Sequence, residues 1–181
     1  MATKRELRQA IRALPPLPPD QRGDMSARLC AAIVALPAWT QARCVALFAP
    51  LGGEPDVEGL WAHRGEREMV YPRVEGEYIS LYAVESLHEL VPGAFGIREP
   101  VPRHPAFMLS VDLVVIPGVA FTRQGARCGR GKGYYDRLLA SLPPAVMKMG
   151  VCFERQIVEE MPLEAHDILM DLVVTENGVA G

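Results

Sequence analysis

The sequence lacks the features that mark several large classes of protein. Its four cysteines, Cys30, Cys44, Cys128 and Cys152, form no CxxC pair and show no metal-ligand spacing, so neither a disulfide framework nor a cysteine metal centre is expected. No stretch approaches the roughly 18 consecutive apolar residues of a membrane span. The opening residues, MATKRELRQAIRAL, lack the apolar core of a secretory signal. We therefore expect a cytoplasmic protein without a membrane partner.

Positive charge is also scarce overall, but it is unevenly placed. The chain has 181 residues with 19 basic and 22 acidic side chains, and its net charge is −3. This balance argues against a general nucleic-acid partner, which usually requires a basic surplus. Residues 123–137 nevertheless contain five basic side chains and one acid, a local charge of +4 that leaves −7 for the remainder. A solvated basic loop and an anion-binding site are both compatible with that concentration.

The hydrophobic pattern predicts short apolar strands alternating with helices. We predict helices at residues 4–14, from Pro19 to Pro37, at 57–63 and at 133–142, and a structured loop over the proline-rich residues 92–105. The predicted strands are residues 44–49, 68–71, 79–83, 113–116, 147–153 and 172–175. This alternation indicates one α/β domain over residues 1–181, with three α/β/α layers around a mostly parallel, Rossmann-like open sheet. Ligands of such sheets bind at the carboxyl ends of strands, so the loops after Ala49, Tyr71 and Ile116 are the expected functional region.

A glycine-rich segment follows the most apolar of these strands. Four glycines leave its backbone able to turn successive N–H groups toward one anion, and the predicted helix after it adds a positive N-terminal end. Cationic side chains surround the same point. The spacing matches neither the Walker A motif nor the dinucleotide fingerprint, because Gly133 follows GK and Tyr134 stands where GxGxxG requires glycine. We predict a phosphate-binding loop built from Gly125, Gly129, Gly131 and Gly133 with Arg127, Arg130 and Lys132.

Asp136, in the first turn of the predicted helix, suggests a metal ion. A carboxylate beside a polyphosphate is repelled unless a divalent cation lies between them, and Mg²⁺ favours a mixture of carboxylate and phosphate oxygens. The alternative is that Asp136 interacts only with the helix dipole. Asp167 is a candidate second carboxylate, and its alternative is a turn cap.

The strings RCGRGKGYYDRLL and IPGVAF resemble the signature of the 5-formyltetrahydrofolate cyclo-ligase family, also called 5,10-methenyltetrahydrofolate synthetase. The similarity extends in the family's order to KRELR near the N-terminus, LFAPLGGE at residues 47–54, Tyr71-Pro72-Arg73, GIREP at 96–100 and GVCFERQIVEEMPLEAHDILMD near the end. The resemblance implies an α/β fold and an enzyme that uses ATP and Mg²⁺ to convert 5-formyltetrahydrofolate into 5,10-methenyltetrahydrofolate, releasing ADP and phosphate. Many relatives have Leu where this chain has Cys128, which we interpret as a structural residue.

The resemblance also implies roles for individual residues. Arg130 and Lys132 would neutralise the γ-phosphate, and Asp136 and Asp167 would hold Mg²⁺. The folate would contact Glu54, Pro72, Phe95 and residues 130–134. The implied ATP-binding residues are Lys4, Arg8, Arg127, Cys128, Gly129, Arg130, Gly131, Lys132, Gly133, Tyr134 and Tyr135.

Several alternatives stay open at the level of sequence. Lys4 and Arg8 lie one helical turn apart, which suits a shared ligand but equally an exposed basic face. Glu54 could be an ordinary loop residue, and Tyr135 could simply pack its helix against the sheet. A nucleotide-binding regulatory module without folate chemistry is the main functional alternative. An RNA-binding role is less consistent, because Tyr134 and Tyr135 are the only aromatic residues of the basic segment available for base stacking. We expect a monomer whose partners are small molecules.

Overall fold

The sheet is built from the apolar runs of the sequence, as seen in a computed structural model that describes residues 2–103, 105–106 and 110–180. Seven strands are arranged in the order β11-β10-β9-β6-β1-β2-β3. The four central pairings, β10–β9, β9–β6, β6–β1 and β1–β2, are parallel, and the two edge pairings are antiparallel. These strands are β1 (Cys44–Ala46), β2 (Glu68–Glu75), β3 (Tyr78–Val84), β6 (Leu113–Pro117), β9 (Met147–Val151), β10 (Leu172–Thr175) and β11 (Gly178–Val179).

Two small hairpins stand outside the main sheet: β4 (Leu90–Pro92) with β5 (Arg98–Pro100), and β7 (Ala120–Phe121) with β8 (Arg127–Cys128). The α-helices are α1 (Lys4–Arg12), α2 (Pro19–Val34), α3 (Pro37–Gln41) and α4 (Tyr134–Ser141). Short 3₁₀ helices occupy Glu58–His63, Leu87–Glu89, Ala94–Gly96 and Glu154–Gln156.

The central strand β6 shows why both faces of the sheet are covered. Side chains alternate between the faces of a strand, so Leu113 and Val115 enter one apolar cluster while Val114 and Ile116 enter another. Leu29 and Ile33 of α2 pack in the first cluster, and Leu138 and Leu139 of α4 pack in the second. The predicted three-layer α/β arrangement around a mostly parallel sheet is confirmed.

The helix starts follow from local chemistry. Thr3 caps α1 in a reciprocal capping box, in which its hydroxyl accepts from the Glu6 N–H and the Glu6 carboxylate accepts from the Thr3 N–H. Proline occupies the first turn of both α2 and α3, where its missing N–H costs nothing. Pro37 therefore begins α3, whereas the sequence predicted only that a helix would end there.

The prediction of a continuous loop over residues 92–105 is wrong. This range includes His104, which lies outside the described residues, but it also contains most of the β4–β5 hairpin. Pro92 and Pro100 lie at strand ends of a two-stranded ribbon, and each strand of such a ribbon has a free edge that tolerates a residue without an N–H. The sequence analysis also missed the β7–β8 hairpin within the glycine-rich segment.

Other element ends shift by a few residues. The first strand stops at Ala46 rather than residue 49, α1 stops at Arg12 rather than residue 14, and residues 58–63 form a 3₁₀ helix. Within the described ranges, no helix combines the length and the apolar character required to cross a bilayer.

Candidate functional site

A cavity of about 330 Å³ opens at the carboxyl ends of three neighbouring strands. Ala49 follows β1, Pro72 lies in β2 and Pro117 ends β6, and all three line the cavity. This is the edge at which an open α/β sheet binds its ligands. Most residues that the sequence singled out line the same cavity: Glu54, Pro72, Phe95, Arg127, Gly129, Arg130, Gly131, Lys132, Gly133, Tyr134, Tyr135 and Asp136.

The glycine-rich loop forms one wall and is held by α1. Arg8 reaches across from the helix and donates from Nε to the Gly129 carbonyl oxygen at 2.7 Å. Gly131 has a φ of +96°, a conformation that favours glycine, and a Cβ there would lie 3.4 Å from the Arg8 guanidinium carbon. The close packing of this arginine on the loop fixes the loop's shape.

The loop leads directly into the N-terminus of α4. Gly133 is the N-cap residue, with a φ of +71°, and among the described residues no side chain caps the helix. The backbone N–H groups of the first turn are thus left for an anion, and the helix dipole adds positive potential there. Asp136 lies in this first turn and forms an ion pair with Arg127. Arg127 is 8% exposed and also donates to the Pro117 carbonyl oxygen at 3.3 Å.

Glu54 and Arg130 connect the loop after β1 to the glycine-rich loop. The arginine donates from Nη2 and Nε to Glu54 Oε1, at 2.8 and 3.1 Å. Glu54 Oε2 accepts from the Leu51 N–H at 2.9 Å. The carboxylate is buried while the guanidinium is about half exposed. The Glu54 carboxylate therefore places a fixed negative charge at the cavity. The Arg130 guanidinium lines the same cavity and remains partly exposed.

Lys132 and two aromatic side chains form the outer rim. The ammonium nitrogen lies 3.5 Å from the centre of the Phe95 ring, which is itself 5.9 Å from the Tyr134 ring. Phe95 is exposed and has a φ of +58°, the one positive value among the described non-glycine residues. The Tyr134 hydroxyl donates to the Gly76 carbonyl oxygen at 3.2 Å. This rim offers flat aromatic faces beside an exposed cation.

Lys4 and Asp167 form an ion pair with each other and do not line the cavity. The Lys4 ammonium donates to both carboxylate oxygens, at 2.5 and 2.7 Å. Burial by itself would raise the pKa of Asp167, but the backbone hydrogen bond at Glu164 and the Lys4 ammonium outweigh it and lower the pKa below its ordinary value. Asp167 is therefore ionised at neutral pH.

The two carboxylates predicted to hold Mg²⁺ differ in how well they suit that ion. Asp136 faces the cavity beside the glycines and Lys132, and Arg127 contacts only its Oδ1 in the described part of the chain, so one carboxylate oxygen is left for a cation. Lys4 takes both oxygens of Asp167. Ligand atoms of Asp167 also lie within 4.8 Å of those of Glu164 and His166, of which the latter two residues are exposed. Asp136 fits a shared phosphate–metal site, whereas Asp167 lies outside the cavity lining and has both oxygens held by Lys4.

Two residues of the glycine-rich signature lie beneath the loop. Cys128 is fully buried, and burial raises the pKa of its thiol despite the nearby positive charges of Arg8 and Lys4. The thiol is thus un-ionised at neutral pH, which agrees with a structural role. Tyr135 packs against the apolar cluster that contains Leu138 and its ring lies 5.6 Å from the Arg127 guanidinium carbon. Burial raises the pKa of the Tyr135 phenol as well.

Sequence reasoning missed several charged residues around this region. Glu99 is 3% exposed, lines the cavity and accepts from the Val74 N–H at 3.2 Å. Arg12 also lines it, one turn beyond Arg8 on the same face of α1. The spacing of Lys4, Arg8 and Arg12 was the available signal for Arg12. Glu99 lies in the GIREP string at 96–100, but no role was predicted for it, because only the fold brings β5 beside β2.

Fold and site together define an α/β protein with a glycine-rich loop and a helix N-terminus at the carboxyl edge of a mostly parallel sheet. The model of the 5-formyltetrahydrofolate cyclo-ligase family matches residues 1–176, and the chain belongs to that family. It is 32% identical over 184 residues to the Escherichia coli 5-formyltetrahydrofolate cyclo-ligase, covering 96% of this chain and 98% of that one. A match of 39% identity to the Mycolicibacterium smegmatis cyclo-ligase spans 48% of this chain and 45% of the relative.

Solved structures of two 5,10-methenyltetrahydrofolate synthetases have the same fold as this chain. The chain resembles the NMR structure of Aquifex aeolicus 5,10-methenyltetrahydrofolate synthetase with a TM-score of 0.87 and 40% identity, covering 97% of this chain and 91% of that one. The synthetase from Mycoplasma pneumoniae has the same fold, with a TM-score of 0.74 at 22% identity and 96% of each chain covered.

Proposed function

We propose that this protein converts 5-formyltetrahydrofolate into 5,10-methenyltetrahydrofolate with ATP and Mg²⁺, releasing ADP and phosphate. The observation that carries the proposal is that the glycine-rich loop, the N-terminus of α4 and the buried Glu54 converge on one cavity. That cavity combines an anion-binding wall with the apolar faces that a folate ring requires. Membership of the cyclo-ligase family supplies the substrate class.

The chemistry explains why a phosphoryl donor is needed. In a formamide the nitrogen lone pair is delocalised, so the formyl carbon is a poor electrophile and its oxygen a poor leaving group. Transfer of the γ-phosphoryl group from ATP to the formyl oxygen breaks the terminal phosphoanhydride bond and forms an iminium-like phosphate ester. N10 of the folate then bonds to the formyl carbon, and the carbon–oxygen bond breaks to release phosphate. The N10 proton leaves to solvent.

In this proposal the protein acts mainly by positioning and by neutralising charge. Residues 129–133 and the first turn of α4 bind the phosphates through backbone N–H groups, and Arg130 and Lys132 offset the charge on the transferred group. Arg8 supports the loop from behind through Gly129. Glu54 and the apolar wall around Pro72 orient the folate. No protein nucleophile is required, which agrees with the un-ionised Cys128.

Asp136 would hold Mg²⁺ together with phosphate oxygens, and Asp167 would join it once its pair with Lys4 opens. When bound, the ion would supply further neutralisation of phosphate charge. Arg127 and Lys4 hold these two carboxylates in place through their ion pairs.

The decisive experiment follows methenyl-folate absorbance in mixtures of purified protein, 5-formyltetrahydrofolate, ATP and Mg²⁺. We expect product only when all components are present, with one ADP released for each methenyl group formed. A folded protein that binds ATP but yields no product would contradict the enzymatic proposal and favour a nucleotide-binding regulatory module. Product without ATP would contradict the phosphorylation step.

We further propose that the protein acts as a monomer in the cytoplasm and that residues 1–181 form one domain. The continuous seven-stranded sheet, whose strands are drawn from residues 44–179, supports the single domain. Sedimentation of the purified protein tests the oligomeric state.

A further inference from the structure

Arg137 contacts the glycine-rich loop, although it is not among the described residues that line the cavity. Its Nη2 donates to the Lys132 carbonyl oxygen at 3.3 Å, and its Nε donates to the Glu77 carbonyl oxygen at 2.7 Å. Glu77 lies in the turn between β2 and β3. The guanidinium therefore bridges that turn and the loop.

Two aromatic rings restrain the same guanidinium. Its central carbon lies 5.2 Å from the centre of the Tyr134 ring and 6.0 Å from that of the Tyr78 ring. Planar cations are attracted to aromatic faces at these distances. The Tyr134 hydroxyl also donates to the Gly76 carbonyl oxygen, which lies in the same turn. Hydrogen bonds and ring contacts together thus fix the orientation of Arg137.

The place of this arginine in the helix is electrostatically unfavourable. The positive end of the dipole of α4 lies at its N-terminus, where an acid such as Asp136 is favoured and a cation is not. The Arg137 guanidinium reaches back beyond the first residue of the helix to Lys132. Its contribution to the stability of α4 therefore does not explain its position, whereas its contacts with the loop do.

The contact with Lys132 sets the direction of one peptide unit of the loop. This peptide is trans, so the Gly133 N–H points away from the side to which the Lys132 carbonyl oxygen points. A Cβ at Gly133 would lie 2.8 Å from Arg137 Nη1, which shows that the guanidinium packs directly on the backbone there. A rotation of this peptide would break the hydrogen bond to Arg137.

We propose that Arg137 is a positioning residue for the nucleotide: it holds the Lys132–Gly133 peptide in the orientation that binds the phosphates of ATP. This inference rests on the proposed function, because it takes residues 129–133 to bind those phosphates. Arg137 acts through the loop and does not touch the nucleotide itself.

The test measures the binding of ATP with Mg²⁺ by calorimetry, together with KM for ATP and for the folate, in four proteins. These are the natural sequence, Arg137→Met, Arg137→Lys and the control Arg64→Met. Arg64 is matched in kind, since it donates to the Glu85 carbonyl oxygen at 2.8 Å and lies 5.3 Å from the centre of the Trp61 ring, but it does not line the cavity.

We expect Arg137→Met to raise both Kd and KM for ATP by about tenfold, while KM for the folate changes by less. Arg64→Met should leave all three constants unchanged, although thermal unfolding should show a comparable loss of stability in both variants. An ammonium cannot reproduce the planar fork of a guanidinium, so Arg137→Lys should remain closer to Arg137→Met than to the natural protein. Full recovery in Arg137→Lys would assign the effect to charge alone and overturn the inference.

Ionic strength gives an independent readout. The screening length falls from about 10 Å at 0.1 M salt to about 3 Å at 1 M, so a long-range effect of charge would disappear over that range. The ratio of Kd for ATP between Arg137→Met and the natural protein should instead persist. Equal ATP affinity in these two proteins, or an equal loss in Arg64→Met, would overturn the inference alone. A natural protein that binds ATP through the loop but forms no methenyl product would refute the proposed function and leave the role of Arg137 standing.

Discussion

Arg130 donates two hydrogen bonds to the same oxygen of Glu54, at 2.8 and 3.1 Å, while the other Glu54 oxygen accepts from the Leu51 N–H at 2.9 Å. The glutamate is thus fixed from both sides, and its guanidinium partner keeps almost half of its surface open. Because the two residues lie on different loops, the pair orders the loop after β1 relative to the glycine-rich loop. The pair therefore links the proposed folate and phosphate regions.

Replacement of Glu54 by Gln should separate these two regions kinetically. The neutral amide still accepts one hydrogen bond but no longer fixes Arg130 by charge, so we expect kcat/KM for the folate to fall by about tenfold. The KM for ATP should change by less. Steady-state kinetics with each substrate varied in turn measure both effects. Glu66→Gln, at an exposed acid remote from the cavity lining, serves as the control, and an equal loss there would contradict the assigned role of Glu54.

Asp136→Asn should raise the Mg²⁺ concentration required for half-maximal rate by about tenfold or more. The amide cannot neutralise a divalent cation, although it preserves the shape of the first turn of α4. Asp20→Asn is a matched control, because Asp20 is also an acid in the first turn of a helix but lies on α2 away from the cavity lining. If both variants changed the Mg²⁺ requirement equally, an effect on helix dipoles would explain the result and the metal role of Asp136 would be wrong.

Lys132→Met should raise KM for ATP by about tenfold while the free energy of unfolding changes by no more than about 0.5 kcal/mol. The ammonium is exposed, and its described contact is the face of the Phe95 ring, so little of the fold depends on it. Lys132→Arg keeps both the charge and the ability to stack on the ring, and it should recover most of the affinity. ATP titrations and thermal unfolding of the two variants provide the comparison. A large loss of stability in Lys132→Met with unchanged KM would identify a packing role instead.

The positions of the glycine-rich loop, Glu54 and Asp136 at one edge of the sheet were predictable from the chain. Each follows an apolar strand or opens a helix, and parallel strands place those points side by side. The partners of the charged residues were not predictable in the same way. Arg127 binds Asp136 and Lys4 binds Asp167 because the tertiary fold brings them together, the latter pair across 163 positions of sequence. Tertiary contacts of this kind cannot be predicted from a local sequence pattern.

The β4–β5 hairpin illustrates a second limit. Its prolines and glycines are typical of loops, yet residues 90–92 pair with residues 98–100 in an antiparallel ladder. The two prolines, Pro92 and Pro100, lie only at the ends of that ladder. Propensity describes the average environment of a residue type, whereas an isolated two-stranded ribbon has free edges that accept proline. The same hairpin places Glu99 at the cavity, a position that the local sequence around this carboxylate does not indicate.

The Lys4–Asp167 pair should make folding stability depend on pH in the acid range. The pKa of Asp167 is lowered in the folded protein, so the carboxylate contributes stability above the ordinary carboxyl range near pH 4 and loses it as the pH falls through the lower folded-state value. Asp167→Asn should therefore lower the free energy of unfolding by about 2 kcal/mol at pH 7. Its difference from the natural protein should shrink as the pH falls below the ordinary carboxyl range and the Asp167 carboxylate becomes protonated.

Denaturant unfolding between pH 7 and pH 2.5 measures this difference. Asp24→Asn, at an exposed acid of α2, should show no comparable effect at pH 7. A deficit of Asp167→Asn that persisted unchanged at pH 2.5 would show that the substitution disturbs packing rather than removing a charge pair.

Gly131→Ala tests whether the shape of the loop, rather than its charge, is essential. With a φ of +96° the backbone is unfavourable for any residue with a Cβ, and the added methyl group would lie 3.4 Å from the Arg8 guanidinium carbon. We expect stability to fall by about 1 kcal/mol and kcat/KM for ATP to fall by much more, because the N–H groups that face the phosphates would be reoriented. Gly23→Ala is the matched control: Gly23 lies inside α2 with open space around it, so alanine there should stabilise the helix by about 0.5–1 kcal/mol without affecting the kinetics. Calorimetry measures the binding of ATP to each variant. If the loop only connects β8 to α4, Gly131→Ala should lose stability but retain its affinity for ATP.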